Sequence, residues 1–236
     1  MKELFTKELF TMVILTGIFA NAKSQVYVQG GVNLANITKT KSGETQDNNL
    51  LTTFNVGILG RFNLSTTLDL ESGLLFEGRG AKANSYFTNS TDDNYVKTKF
   101  NPLYFEVPLN LALRIPLEKK SGIFFHAGPY VAIGLAGKSK TETKILGIIS
   151  NSSNDIKFSN DNPFTSQQDD AAYDKLKRFD FGLNFGGGFD LGKVLLRLNY
   201  GFGLTKINST QSNNGADDKN KYRTISVSLG IPLSRS

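Results

Sequence analysis

The chain lacks cysteine altogether and has a single histidine among its 236 residues. Without cysteine there can be no disulfide, no thiolate metal ligand, no cysteine nucleophile and no lipid attached through an N-terminal cysteine. One histidine rules out a histidine-rich metal site. The sequence also has no run of the ~18–20 apolar residues that a membrane-spanning helix requires. A helical membrane protein and a thiolate- or histidine-based metal centre are therefore excluded.

Positive charge is in excess, but it is not concentrated. The formal net charge is +6, and the lysines and arginines are scattered along the chain with no run of five. Nucleic-acid-binding proteins carry clustered basic residues instead. The sequence therefore predicts no nucleic-acid partner.

Residues 1–24 have the pattern of a secretory signal peptide. A short polar head with two lysines is followed by an apolar stretch at 9–20, which is the length of a signal-peptide core. Two small-x-small sites predict cleavage after residue 22 or 24, which leaves residues 25–236 as one domain. The alternative, an amphipathic first helix of a soluble domain, is disfavoured because a β-rich sequence follows at once.

Eight later segments alternate apolar and polar residues with a period of two, which is typical of β-strands with one apolar face. In the fourth segment, for example, Phe105 and Val107 alternate with Tyr104 and Glu106. Each segment has about ten residues, the length of a tilted strand that crosses a bilayer. The eight segments are residues 25–37, 52–63, 68–81, 103–114, 124–135, 179–191, 194–205 and 222–231.

The connections between these segments alternate strictly between short and long. Residues 64–67, 116–121 and 192–193 form the short ones, and the long polar ones are roughly 38–50, 83–94, 138–177 and 208–220. Outer-membrane barrels have short periplasmic turns and long extracellular loops. The pattern predicts an all-β fold, an eight-stranded antiparallel transmembrane up-and-down β-barrel with apolar residues outside. A soluble two-sheet sandwich would use the same alternation with its apolar residues inside.

Five motifs resemble the outer-membrane β-barrel domain family common in Bacteroidota, often labelled "porin family" and including PorT-like proteins. They are GGVNLANI (Gly30–Ile37), YFEVPLNLALRI (Tyr104–Ile115), GPYVAIGLAG (Gly128–Gly137), FDFGLNFGGGFDL (Phe179–Leu191) and ISVSLGIPL (Ile225–Leu233). The resemblance covers nearly the whole mature chain. It implies a location in the bacterial outer membrane, reached through the periplasm, and the barrel fold.

The polar faces of the strands carry many charged residues. If these faces point inward, buried charges must find partners, so we expect an ionic network in the lumen. Its predicted members are Arg61, Asp69, Glu71, Glu77, Arg79, Glu106, Arg114, His126, Asp180, Asp190 and Arg197.

His126 is the only imidazole and therefore the candidate base for acyl chemistry, whereas the carboxylates Asp69, Glu71, Glu77 and Glu106 are expected to pair with the arginines of the network. Acyl chemistry on lipid A would need a serine beside His126, but the residue two positions on is Gly128. The expected height of His126, near the periplasmic end, is also far from the outer leaflet. We therefore expect an interior histidine bonded to a carboxylate such as Glu106. We predict no catalytic, metal or cofactor site.

Three function classes remain open at this point. The first is a non-enzymatic barrel with a structural or interaction role through its extracellular loops, related to secretion or to the cell surface. The second is a small channel or porin, although eight strands leave an interior that side chains fill. The third is a lipid A-modifying enzyme. The partners predicted for the first class are outer-membrane lipid and lipopolysaccharide, the barrel assembly machinery and a protein partner at the outer loops.

Overall fold

A computed structural model describes residues 24–41, 44–47, 49–87, 94–117, 121–160, 175–207 and 219–233. All but the last residue of the predicted signal peptide lies outside these ranges, so cleavage after residue 22 or 24 stays a prediction. Among the described residues, none forms a helix long and apolar enough to cross a bilayer.

The described chain is almost entirely β-strand. Its thirteen strands are β1 (Ser24–Lys41), β2 (Glu44–Asp47), β3 (Leu51–Asn63), β4 (Leu68–Gly78), β5 (Ala81–Tyr86), β6 (Tyr95–Pro116), β7 (Gly122–Ile145), β8 (Ile148–Asp155), β9 (Lys157–Ser159), β10 (Lys175–Lys177), β11 (Phe179–Asp190), β12 (Leu195–Gly203) and β13 (Lys219–Pro232).

Eight of these strands close into a ring. Strands β1, β3, β4, β6, β7, β11, β12 and β13 each pair antiparallel with the next, and β13 pairs back with β1. Every strand in the ring therefore has two neighbours, and the ring itself has no unpaired edge. The predicted eight-stranded up-and-down barrel is confirmed.

The two faces of the ring are those that the alternation predicts. One apolar residue from each barrel strand is between 37% and 55% exposed on the outside: Val28, Val56, Leu74, Val107, Val131, Phe185, Leu198 and Val227. The intervening polar residues are buried inside. A soluble sandwich would bury the apolar face instead, so this arrangement excludes it.

The short connections lie together at one end of the barrel, the turn end. They join β3 to β4, β6 to β7 and β11 to β12. The opposite end, the hairpin end, holds the strands that extend beyond the ring. β7 has 24 residues, whereas a tilted strand crosses a bilayer in ~9–11 residues.

The predicted long polar connection 138–177 is largely β-strand in its described residues, 138–160 and 175–177. β7 runs on to Ile145, turns at Leu146 and Gly147, and returns as β8, paired from Lys138↔Asp155 to Ile145↔Ile148. The predicted loops at 38–50 and 83–94 likewise contain strand residues of β1, β2 and β5. Outside the bilayer both faces of a hairpin are solvated, so its residues need no apolar alternation and the period-two signal disappears.

The third predicted segment, 68–81, is interrupted. β4 ends at Gly78 and β5 begins at Ala81, and between them Gly80 adopts a φ of +143°. A side chain at Gly80 would also meet the Phe100 carbonyl oxygen at 2.0 Å. Only glycine fits this position, and the resulting kink leaves the Arg79 side chain inside the barrel, 3% exposed.

Candidate functional site

The middle of the lumen holds one arginine among three carboxylates. Arg79, held at the kink after β4, donates hydrogen bonds to Glu77 at 2.6 Å, to Glu106 on β6 and to Asp180 on β11. All four side chains are at least 93% buried. We call these four residues the central cluster. It joins the end of β4 to β6 and β11, so it links different parts of the barrel wall across the lumen.

Three tyrosine rings surround the guanidinium of the central cluster. Its carbon lies 4.6 Å from the ring centroid of Tyr130, 5.3 Å from Tyr104 and 5.9 Å from Tyr222. The Tyr130 hydroxyl also donates to Asp180 at 2.9 Å. Ring faces attract cations, so the tyrosines add to the hydrogen bonds of Arg79 while filling the space around it.

A second ionic group, the turn-end cluster, comprises Arg61, Asp69, Glu71, Asp190 and Arg197. Glu71 is fully buried and lies in ion pairs with Arg61, at 3.3 Å, and with Arg197. Tyr27 on β1 donates to the same carboxylate and accepts from Arg197 at 2.7 Å. Four different strands are thereby joined across the lumen.

Two predicted members of the network lie at its edge. The Arg114 side chain is 27% exposed and approaches the buried Asp69 carboxylate to 3.6 Å, and Asp190 is 17% exposed and lies 3.9 Å from Arg61. Arg114 also donates to the Thr66 carbonyl oxygen in the turn, at 3.4 Å. Their pairing is therefore looser and wetter than that of the central cluster.

His126 lies between the two clusters, but its partner is not the expected one. The predicted bond to Glu106 is wrong. Nε2 of His126 lies 2.9 Å from the Asn199 amide oxygen, and the Arg197 guanidinium lies 3.3–3.4 Å from both ring nitrogens. A ring that donates from Nε2 to Asn199 can accept from Arg197 at Nδ1, which is the geometry of a neutral imidazole.

A chain of amides links this histidine to the central cluster. Asn199 donates to Asn184 at 3.1 Å, and Asn184 donates to Glu106 at 2.8 Å. Hydrogen bonds therefore run without interruption from Glu71 through Arg197 and His126 to Arg79. The lumen is filled by one connected polar network.

The inward face of β11 is lined with glycine to make room for rings on β7. In the strand register Gly182 is opposite Tyr130, Gly186 opposite His126 and Gly188 opposite Phe124. A side chain at Gly186 would meet His126 Cε1 at 2.6 Å. These glycines therefore serve packing.

The hairpin end of the lumen is closed by an apolar layer. Ile156, next to β9, and Leu176 on β10 are buried against Tyr104, Tyr130 and Tyr222, and Phe158 packs edge-on against Tyr104 at 5.7 Å between ring centroids. We call Ile156, Phe158 and Leu176 the cap. This part of the connection 138–177 folds into the barrel mouth.

The space left inside is small. A cavity of about 20 Å³ lies between the two clusters, bordered by Asn55, Glu77, Glu106 and Arg197. It has room for roughly one water molecule. In the described part of the chain, no group of three or more histidine and acidic side chains has the geometry to hold a metal ion.

The tip of the β7–β8 hairpin is apolar and exposed. Ile145, Leu146, Ile148 and Ile149 are 52%, 85%, 74% and 55% exposed. Leu146 has a φ of +50° and Gly147 a φ of +82°, the sign pattern of a type I′ turn, which favours asparagine–glycine. Nearby, the Tyr95 hydroxyl donates to Glu142 at 2.7 Å, and this bond raises the pKa of Tyr95.

Sequence reasoning missed the neutral members of the lumen network. These uncharged side chains form hydrogen bonds within the network, and they are Tyr27, Asn33, Asn55, Asn110, Asn184 and Asn199. Their position was a usable signal, because each falls on the polar face of its strand.

Comparison with known proteins identifies a family for this chain. Residues 19–209 match the family model described as the outer membrane protein beta-barrel domain. None of the curated proteins is significantly similar in sequence. Among solved structures, the attachment invasion locus protein Ail of Yersinia pestis is similar at 13% identity and a TM-score of 0.38, over 89% of this chain and 99% of that one. Neisserial surface protein A is similar at 10% identity and a TM-score of 0.37, over 88% and 97%.

Proposed function

The chain belongs to the outer membrane protein β-barrel domain family and lies in the bacterial outer membrane, and from this premise we propose that it is a non-enzymatic interaction protein whose outer hairpins bind a protein partner. The short turns then face the periplasm, and the hairpin end faces outward. We further propose export by the signal peptide at 1–24, insertion by the barrel assembly machinery and a place among the Bacteroidota "porin family", PorT-like barrels.

The observation that carries this proposal is the apolar tip of the β7–β8 hairpin. Four large aliphatic side chains stand at the end of a ladder that runs eight residue pairs beyond Gly137, and they are more than half exposed. Leu146 also occupies a left-handed conformation, which costs an L-residue roughly 1–2 kcal/mol. The backbone N–H of Leu146 donates to Asn94 at 2.8 Å, but its side chain is 85% exposed and adds little to packing. Exposed apolar clusters on a strained turn are typical of protein-binding sites.

The lumen supports neither of the two alternatives. A channel needs an open path, but the cap, the central cluster and the turn-end cluster lie across the lumen in series. A lipid A-modifying enzyme needs an accessible base and nucleophile. His126 is 3% exposed and bonded to Asn199 inside the network.

The substitution Leu146→Asn tests the proposal. Asparagine tolerates the left-handed conformation, so we expect the variant to gain up to about 1 kcal/mol of stability while it loses partner binding. Partner capture is measured by crosslinking and pull-down from intact cells, and folding by the shift of the unheated band on gels. Phe185→Leu is the matched control, because it changes an exposed apolar residue on the lipid-facing outside of the barrel and not at the hairpin tip. Undiminished capture by Leu146→Asn, with the control also active, would contradict the proposal.

A further inference from the structure

A row of lysines crosses the outer surface of the barrel near the hairpin end. In the strand register Lys82 on β5 is opposite Lys99 on β6, and Lys99 is opposite Lys140 on β7, whose next neighbour is Ser153 on β8. Lys97 and Lys138 flank this row. Like charges directly opposite each other on neighbouring strands destabilise a sheet. Glu142 is opposite Lys97 and Asp155 is opposite Lys138, so the uncompensated repulsion is among Lys82, Lys99 and Lys140, and an anion over these three would relieve it.

These lysines point away from the lumen. Phe100 packs against the apolar core inside the barrel mouth, so its neighbours Lys99 and Asn101 lie on the outer face. The bulge between Leu103 and Tyr104 shifts the register by one residue on β7, so that Ala136, Lys138 and Lys140 share that outer face. The lysine row therefore continues the surface that carries the exposed apolar band.

Two adjoining grooves follow this surface. The outer groove, of about 610 Å³, is lined by Lys82, Lys97, Lys99, Lys138 and Lys140 with Glu142 as its one carboxylate. The second groove, of about 620 Å³, shares Lys99, Lys138 and Lys140 but continues to Leu103, Leu135 and Ala136, with Asp155 at its rim. The two grooves together are cationic over the lysines and apolar at Leu103, Leu135 and Ala136, which matches a ligand with an anionic head and an acyl tail.

The height of the row matches the headgroup region. Lys99 lies four residues beyond Leu103, which is about 13 Å along a strand at ~3.3 Å per residue. The strands tilt by ~35–45°, so the rise above the end of the apolar band is about 10 Å. The headgroup region extends about 5–8 Å beyond the hydrocarbon core on each side. A lysine side chain that bends toward the bilayer covers the remaining distance, so the ammonium groups can reach the lipid phosphates. A soluble polyanion would explain the lysines but not the apolar half of the second groove.

We propose that the lysine row, Lys82, Lys97, Lys99, Lys138 and Lys140, is a binding site for the phosphorylated headgroup of an outer-leaflet glycolipid. The inference rests on the outward orientation of the hairpin end in the proposed function and deepens it by naming a lipid partner. The phosphates lie over the lysine row, and an acyl chain lies along Leu103 and Leu135. The site is on the barrel wall, separate from the apolar hairpin tip.

The test measures protection of the folded barrel by lipid. The full mature protein in neutral detergent is titrated with diphosphoryl lipid A, and the temperature at which the folded gel band converts gives an apparent affinity. Each lysine near a lipid surface contributes about fivefold in affinity. We therefore expect Lys99→Gln/Lys140→Gln to bind about 25-fold more weakly, and Lys99→Arg/Lys140→Arg to bind as the wild type does.

Controls separate this site from general effects. Lys193→Gln, in a short turn at the other end, removes a lysine from an exposed position and should leave the affinity unchanged. Without lipid, Lys99→Gln/Lys140→Gln should be at least as stable as the wild type, because it removes a repulsive pair. A variant that fails to fold is replaced by Lys140→Gln alone, with about fivefold weaker binding expected.

Three results would overturn the inference. They are equal lipid A affinity of the wild type and the Gln variants, equal protection by dephosphorylated lipid A, and equal protection by inorganic pyrophosphate or a soluble acidic polysaccharide at the same concentration. The Leu146→Asn protein keeps all five lysines, so its lipid binding should be normal even if its partner capture fails. Failure of this inference and failure of the proposed function are thus distinguishable.

Discussion

At the scale of single residues, Arg79 is the side chain on which most of the lumen depends. It is the only cation of the central cluster and is 3% exposed, with Glu77, Glu106 and Asp180 around it. Removing one partner of a buried ionic group leaves the others uncompensated, which is far more costly than losing a solvated pair. The arginines of the network are therefore not equivalent, although all share the polar face.

We expect Arg79→Leu to lower the free energy of unfolding by roughly 3–5 kcal/mol, since three buried carboxylates lose their counterion. Arg114→Leu should cost less, because its partly exposed side chain lies 3.6 Å from Asp69, which keeps Arg61 at 3.9 Å. Lys140→Leu, which removes no buried ion pair, should cost least. The stabilities of the three variants are compared by the urea concentration at which half of the folded gel band is lost. Equal midpoints for the three variants would mean that the inward face has been assigned wrongly.

The face of each of these residues could be predicted from the sequence, but its height in the barrel could not. Alternation places His126 and Glu106 on the inward face, and both are there. In the register, however, His126 is opposite Ala112 and Glu106 opposite Ala132, six residues apart on each strand. That separation is about 20 Å at ~3.3 Å per residue, so the two side chains cannot meet. Register is set by the stagger of the closed ring, which no single segment encodes.

At the scale of elements, β11 and β7 pack as a complementary pair. The glycines on β11 are not interchangeable with other small residues, because rings on β7 occupy the space their side chains would take. Gly186 lies directly beside the network: a Cβ there would lie 2.2 Å from the Leu198 carbonyl oxygen as well as against His126. A side chain at this position would therefore disturb both the pairing of β11 with β12 and the position of His126 in the lumen.

We expect Gly186→Val to destabilise the barrel by roughly 1–3 kcal/mol through overpacking, and to separate His126 from Asn199. Gly30→Val is the matched control. A Cβ at Gly30 meets only the Asn55 carbonyl oxygen, at 3.9 Å, so the added side chain enters the outer band without a clash. The stabilities of the two variants are compared by their urea midpoints. A decrease in the midpoint for Gly30→Val as large as that for Gly186→Val would contradict the packing argument.

The barrel strands were predictable as elements, but the outer hairpins were not. Within the bilayer one face of each strand contacts lipid, so Val107, Leu109 and Leu111 alternate with polar residues. Beyond the bilayer, β8 (IISNSSND) is exposed on every residue and is held by its backbone pairing with β7. A strand stabilised in this way leaves no period in the sequence. The cap was missed for a related reason, since Ile156, Phe158 and Leu176 are isolated apolar residues in a polar segment.

At the scale of the whole molecule, the lumen is closed by three layers in series. The cap lies at the hairpin end, the central cluster in the middle and the turn-end cluster near the short turns. Each layer is formed by different residues, and the polar layers are joined through His126, Asn199 and Asn184. Because the lumen is closed at three heights, we expect the barrel to serve as a scaffold for the outer hairpins and not as a path for solutes.

Ion conductance in planar bilayers tests this whole-molecule argument, and we expect the wild-type protein to carry no steady current. Removing the cap with Phe158→Ala/Leu176→Ala should leave the barrel silent, because the central and turn-end clusters still fill the lumen below it. The folded gel band verifies that both proteins are intact before reconstitution. A large steady current through the wild type would favour the channel alternative. A current that appears only without the cap would instead show that the two ionic layers let ions pass, so that the cap alone closes the barrel.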